Sequence, residues 1–326
     1  MKRPRRQLVQ LAGTVVAVML VALSGHAASS QTTRTIKIVV PAAPGGGTDI
    51  LARLLAEQIR RTQGSTMVVE NRPGAGGVIG TEAASRAAPD GNTLLISPPA
   101  MVVTPHLRKV NYDPLTSFEP ICYLVSFPGL IVVNSALPYR TLAELMNAAR
   151  TKPGDLTMAS FGPATGAHIA VEMLKRAANV NITYVPYAGE APAVNALLGE
   201  HVTSGLVTFA IVAEQLKADK LRALATASLT RIEPLPDVPT IAEAGYKDFD
   251  VANWVGLFAP AKTPKEAVSE LAGWFIAAMQ VPDVKANLAI QGLYPVGICG
   301  ADFAAFLRKQ YDDYGRYIRD ANIKAE

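Results

Sequence analysis

The chain has 326 residues, 49% of them hydrophobic, enough for two medium α/β domains with cores of their own. Its formal charge of +4 sits at one end: four of the 31 basic residues are Lys2, Arg3, Arg5 and Arg6, and those that remain balance the 27 acidic ones. A near-neutral chain with no later basic run excludes a nucleic-acid binder, which needs basic surface to neutralise phosphates.

The basic start is followed by an apolar run from Leu8 to Leu23 and by small residues at Ser24-Gly25-His26-Ala27. That order predicts a secretory signal over residues 1–27, cut near Ala27, and a periplasmic mature protein. Gln10, Gly13 and Thr14 interrupt the run, which falls short of the roughly 20 apolar residues of a spanning helix. Arg5-Arg6-Gln7-Leu8 leaves the general and twin-arginine routes both open, and no cysteine near the cut invites a lipid anchor.

Thr35 to Val40 alternates as a strand, and Ile50, Leu51, Leu54, Leu55 and Ile59 mark one face of a helix from Asp49 to Arg61. Next come a strand from Met67 to Glu70, a helix from Val78 to Ala87 and a strand from Thr93 to Ser97, a βαβαβ start that implies a parallel sheet. An apolar segment runs from Ile121 to Val133, broken near Pro128, and leads to a helix over Leu142–Arg150. Strands at 156–160, 183–186 and 221–227 alternate with helices at 168–178 and 192–198. Trp254 to Pro260 is extended again, and the chain from Lys265 onward reads as mostly helical. The expected fold is α/β with two lobes, each a mostly parallel sheet flanked by helices, joined by two crossing strands. Residues 28–126 with 247–326 form lobe 1 in this reading, and 127–246 form lobe 2. Cys122 and Cys299 could pair in the periplasm, although two cysteines so distant are more often separate buried residues, and their pairing stays open.

Gly45-Gly46-Gly47 lacks the Lys-Ser/Thr of a phosphate loop, and the glycines from Gly74 to Gly80 miss the dinucleotide spacing by one residue. Met158-Ala159-Ser160-Phe161-Gly162 lacks the first glycine of a nucleophile elbow. His106, His168 and His201 have no metal-ligand spacing. No cofactor, metal or catalytic constellation is expected. The informative feature is three loops of small residues that open helices: residues 45–49, 161–168 and 187–192. Any one of them reads as an ordinary tight turn. Three together point to anion binding by helix N-termini. None contains Lys or Arg, so hydroxyls of Thr48, Ser97, Thr165 and Tyr187 are the natural further donors. Asp49 suits a helix cap better than a ligand contact, and Trp254 suits the core.

Ile38 to Pro41 with Gly46-Gly47-Thr48-Asp49, Val69 to Gly77 with Gly80, and Ala88 to Leu95 carry a resemblance to the Bug-type substrate-binding proteins of tripartite tricarboxylate transporters. His168-Ile169-Ala170, Val185-Pro186-Tyr187, Pro236 to Gly245 and Trp254 to Ala261 extend it through nearly the whole mature chain. The resemblance implies a Venus-flytrap fold, a carboxylate held between the lobes, and two membrane partner subunits. By motif it places ligand contacts at Ala42, Ala43, Gly46, Thr48 and Asp49 in lobe 1. In lobe 2 it places them at Gly162, Thr165, His168 and Tyr187. Ser97, from the end of its strand, and Ala164 and Gly189, from the loops, join these. Ala188 stands where the family usually has Lys, Thr203 where Asp is usual, and Ala43 where a bulkier residue is frequent, departures that bear on pocket size and charge. The expected function is capture of a small di-, tri- or aromatic carboxylate by a monomeric, non-enzymatic binding protein. A ligand sensor for a membrane signalling partner shares every feature of the pocket, and a periplasmic enzyme on the same scaffold is the third reading.

Overall fold

The computed structural model describes residues 35–161, 166–228, 230–247, 249, 253–320 and 323. The predicted export signal lies outside these residues, as do Gly162, Ala164 and Thr165 of the second-lobe loop.

From the start run β1 (Thr35–Val40), α1 (Gly47–Gln63), β2 (Thr66–Asn71), a 3-10 turn (Ala75–Gly77) entering α2 (Val78–Ser85), β3 (Thr93–Ser97), α3 (Ala100–Leu107) and β4 (Phe118–Ser126). A second series holds β5 (Gly129–Asn134), α4 (Leu142–Thr151), β6 (Thr157–Phe161), α5 (Gly166–Ala178), β7 (Thr183–Tyr187), α6 (Glu190–Leu198), β8 (Ser204–Thr208), α7 (Phe209–Lys217) and β9 (Leu221–Thr226). The last elements are β10 (Trp254–Pro260), α8 (Lys265–Gln280), α9 (Pro282–Ile290), β11 (Tyr294–Cys299) and α10 (Gly300–Asp320).

The strands form two sheets, ordered β11-β4-β10-β3-β1-β2 and β7-β6-β8-β5-β9. The chain passes from the first to the second between Ser126 and Gly129 and returns after β9, which gives two α/β lobes. Each sheet is more mixed than expected. The β1–β2, β1–β3, β6–β7 and β6–β8 pairs are parallel, as βαβ units require. Strands next to the crossings reverse direction, so β10 lies antiparallel to β3 and β4, and β5 lies antiparallel to β8 and β9.

Four elements went unread in the sequence: α3, whose apolar Met101-Val102-Val103 has no helical period and is framed by prolines; β8 with α7, where a short buried strand runs straight into a helix; and β11. Pro295 and Gly297 hide β11, and both are tolerated because it is an edge strand with a bulge between Pro295 and Ile298. This strand places Cys299 opposite Cys122, and the two form a disulfide with Cα atoms 4.0 Å apart.

Ile36, Ile38, Leu55, Leu94, Leu257 and Phe275 are fully buried in one core, between the first sheet and its helices α1 and α8. A larger apolar cluster covers the opposite face of that sheet and continues to α4 and α5 on the second one. α10 joins the two by packing on α3, β4 and α5. At its N-terminal end Phe303 meets Trp254 edge-on with ring centroids 6.2 Å apart, and both are wholly buried. Truncating such an aromatic to Ala costs about 3–5 kcal/mol, which explains why Trp254 serves packing. In α2, Gly80 is required by proximity, since a Cβ there would lie 2.7 Å from the Arg72 carbonyl and 2.9 Å from Pro41 Cα.

Candidate functional site: the cleft between the lobes

Two adjoining cavities, of ≈ 410 and ≈ 340 Å³, share Thr48 and Phe127 in their walls and together line the cleft between the lobes. The smaller half is walled by Thr48, by Pro98-Pro99-Ala100 and by Gly166-Ala167, with Asn253 at the back. Thr48 belongs to the first turn of α1, Ala100 begins α3 and Gly166 begins α5. Three helix starts, two from one lobe and one from the other, therefore converge on one cavity. First-turn N–H groups have no acceptor within their own helix, and the dipoles add positive potential there; in α3 the Ala100 N–H alone is left, since the Met101 and Val102 N–H groups donate to the Pro98 and Pro99 carbonyls at 3.4 and 2.9 Å. The larger half repeats the arrangement with Gly47 and Thr48 of α1, Glu190 at the start of α6, and Thr208-Ala210-Ile211 at the start of α7. Phe127 sits between the halves on the first crossing, and its N–H donates to the carbonyl of Asn253 on the second at 3.0 Å. The backbones that link the lobes are thus tied to each other at the cleft wall.

The α1 loop is held by Asp49. Its carboxylate accepts from the Gly45 N–H at 2.9 Å, from Arg53 Nε at 3.0 Å and from Asn71 Nδ2 at 3.0 Å, while Asn71 Nδ2 also donates to the Ala42 carbonyl at 3.1 Å. Burial raises the carboxyl's affinity for a proton, but the Arg53, Gly45 and Asn71 hydrogen bonds outweigh it and hold the pKa below the usual range. Asp49 shapes the loop that presents Gly47 and Thr48.

A model of the tripartite tricarboxylate transporter family receptor matches residues 51–323. The chain belongs to that family. BugT of Bordetella pertussis is 32% identical over 300 residues, 91% of this chain and 92% of its own. The solved periplasmic binding protein BugD is similar at 35% identity and a TM-score of 0.73, over 90% of this chain and 99% of that one. An R. palustris structure with adipate shares 31% identity at a TM-score of 0.77, with 90% and 99% covered. The Bug-type resemblance and the two-lobed binding-protein fold are thereby established, and the chain is a solute-binding protein of the tripartite tricarboxylate receptor family.

Within this receptor fold the predicted contacts divide. Thr48 lines both halves of the cleft, and Gly45 and Gly47 stand beside it, whereas Gly46, Ala42 and Ala43 shape the loop without forming cavity wall. Ser97 is buried, its hydroxyl donating to the Pro98 carbonyl at 3.2 Å, and the following Pro98-Pro99-Ala100 face the cavity instead. His168 directly follows the cavity-lining Gly166 and Ala167, and its ring stacks on Tyr184 with centroids 4.0 Å apart. Burial holds its imidazole below the ordinary histidine range against the pull of Glu172. Tyr187 packs on the second-lobe core, and Gly189 has extended backbone and precedes α6. Gly162, Ala164 and Thr165 lie outside the described residues. Arg72, just past the end of β2, pairs with Glu70 and lines neither cavity.

Sequence reasoning passed over Phe127, Arg108, Thr208 and Glu190. Arg108 is an exposed cation at the wall of the smaller half. Glu190 was legible as the one acid in a loop otherwise composed for an anion. Its Oε2 accepts from Thr208 Oγ1 at 2.6 Å and its Oε1 from the Thr208 N–H at 3.2 Å. Burial pushes this carboxyl up, partly offset by the two Thr208 donors.

Proposed function

We propose that the protein captures a small organic carboxylate in the periplasm and delivers it to two membrane subunits of a tripartite tricarboxylate transporter. The observation that carries this reading is the convergence of the α1, α3 and α5 starts on one cavity, with Arg108 at its wall. The adipate complex of a 31%-identical relative supports the ligand class. The site in this reading binds its ligand without turning it over, as expected of a solute-binding protein of this family. In this reading the chain is exported, cut near Ala27 and active as a monomer. Residues 28–126 with 247–326 form lobe 1 and 127–246 form lobe 2. The lobes close on ligand by bending in the crossings near Leu124–Val133 and from Ala252, itself outside the described residues, to Ala259.

The test is thermal unfolding of the mature protein against a panel of mono-, di- and aromatic carboxylates. A true ligand at about 100 times its Kd stabilises the fold by about 2.7 kcal/mol, and its amide analogue does not. Stabilisation by neutral analogues as strong as by the acids removes the carboxylate reading. Mass spectrometry of ligand released from natively purified protein names the compound.

A further inference from the structure

The two halves of the cleft differ in chemistry although both are built on helix starts. In the smaller half the charged residue of the wall is Arg108, which adds to the positive potential of the helix starts there and attracts a carboxylate. In the larger half it is Glu190, whose carboxyl oxygens already take the hydroxyl and N–H of Thr208 at the start of α7. The protein's own carboxyl occupies the Thr208 donors that a second ligand carboxylate would otherwise meet at the α7 start. The rest of that wall combines Thr48 and the glycines of the α1 loop with apolar Ile50, Ile211, Val255 and Leu293 and the amide of Gln291. A second ligand anion there would meet a like charge, or a buried carboxylic acid, with no cation among the wall residues to compensate. A donor group, above all an ammonium, would find an acceptor already oriented.

We infer that Glu190 sets ligand polarity: the ligand is an ω-amino or similarly donor-ended monocarboxylate, with its carboxylate in the Arg108 half and its donor end against Glu190. The inference rests on the carboxylate reading above and narrows it to one polarity. The cleft geometry supports it independently of the protonation state of Glu190. A charged carboxylate accepts from an ammonium, and an ammonium placed beside a carboxyl restores its ionised form.

Isothermal titration of the mature protein with two matched series, α,ω-dicarboxylates and ω-aminocarboxylates of three to seven carbons, tests this. The best aminocarboxylate is expected to bind at least tenfold more tightly than the dicarboxylate of equal length. Glu190→Gln keeps the shape of the side chain and should weaken the aminocarboxylate by tenfold or more while leaving the dicarboxylate equal or tighter. Dicarboxylates binding more tightly than aminocarboxylates to the unaltered protein, or a ranking that Glu190→Gln leaves intact, overturns the inference and spares the carboxylate reading. Failure of both series, with diamines or uncharged solutes binding instead, overturns both. The ranking in the unaltered protein decides even where the variant folds poorly.

Discussion

The Cys122–Cys299 disulfide closes a loop over a sequence separation of 177 residues and joins the edge strand β11 to β4. In the chain-entropy description, removing a crosslink over n residues returns about 2.1 + 1.5R ln n of entropy to the unfolded chain, which for this loop amounts to about 5 kcal/mol at 25 °C. Measured effects are commonly smaller, so about 3–5 kcal/mol is expected, a fall of roughly 10 °C in Tm for a chain of this size. The site should also respond. Gln291, Gly292 and Leu293, which wall the larger half of the cleft, lead directly into β11, so loosening that strand loosens the wall. The assay compares oxidised protein, protein reduced with a thiol, and the Cys122→Ala/Cys299→Ala variant by calorimetry and by ligand titration. Cys122 is fully buried, so the variant carries a small cavity penalty that the reduced protein lacks. Reduced and substituted proteins should fall together in Tm, the substituted one slightly further, and both should bind ligand more weakly. A Tm unchanged within about 2 °C after complete reduction would falsify the loop-closure argument.

Thr48→Val keeps the volume of a residue that lines both halves of the cleft but removes its hydroxyl; a loss of about 1–3 kcal/mol, or roughly 5- to 150-fold in Kd, is expected by titration, with little change in Tm. Asp49→Asn should destabilise by about 2 kcal/mol, because Arg53 and the Gly45 N–H lose a charged acceptor. Since the folded-state pKa of Asp49 is depressed, its contribution is present above the unfolded-state value near 4 and is lost as pH falls through the lower folded value. Denaturant titrations from pH 7 to pH 2 should therefore show a shallower acid loss in the Asn variant, and parallel profiles would remove Asp49 as a source. Gly292 has φ +65°, and a Cβ there would lie 3.1 Å from Ala210 Cβ across the cleft. Gly292→Ala should weaken ligand binding and leave the particle less compact with ligand in X-ray scattering. Unchanged closure and affinity would show that this contact does not limit the closed state.

The alternation of strand and helix was readable because each element carries its own period. Leu51, Leu55 and Ile59 form the buried stripe of α1, and Ile36 and Ile38 the buried face of β1, whatever they pack against. The elements that escaped, α3 and β11 among them, break local rules with Pro99, Pro105, Pro295 and Gly297 and are secured by tertiary contacts. Of the site, Thr48 and the helix-opening loops were legible, since small residues before a helix leave N–H groups exposed irrespective of context. Ser97 and His168 have the right chemistry, yet the Ser97 hydroxyl donates to the Pro98 carbonyl and the His168 ring stacks on Tyr184.

By itself the sequence determined that helix starts would lie at strand ends in both lobes, because turn chemistry and hydrophobic period are local properties. Only the tertiary structure decided which starts meet. Sheet order brings Thr48, Ala100 and Gly166 around one cavity and sets Glu190 with Thr208 in the other. The same holds for Cys122 and Cys299. Pairing across such distances depends on which strand lies next to which, and that is fixed by burial of whole sheets rather than by the residues flanking either cysteine.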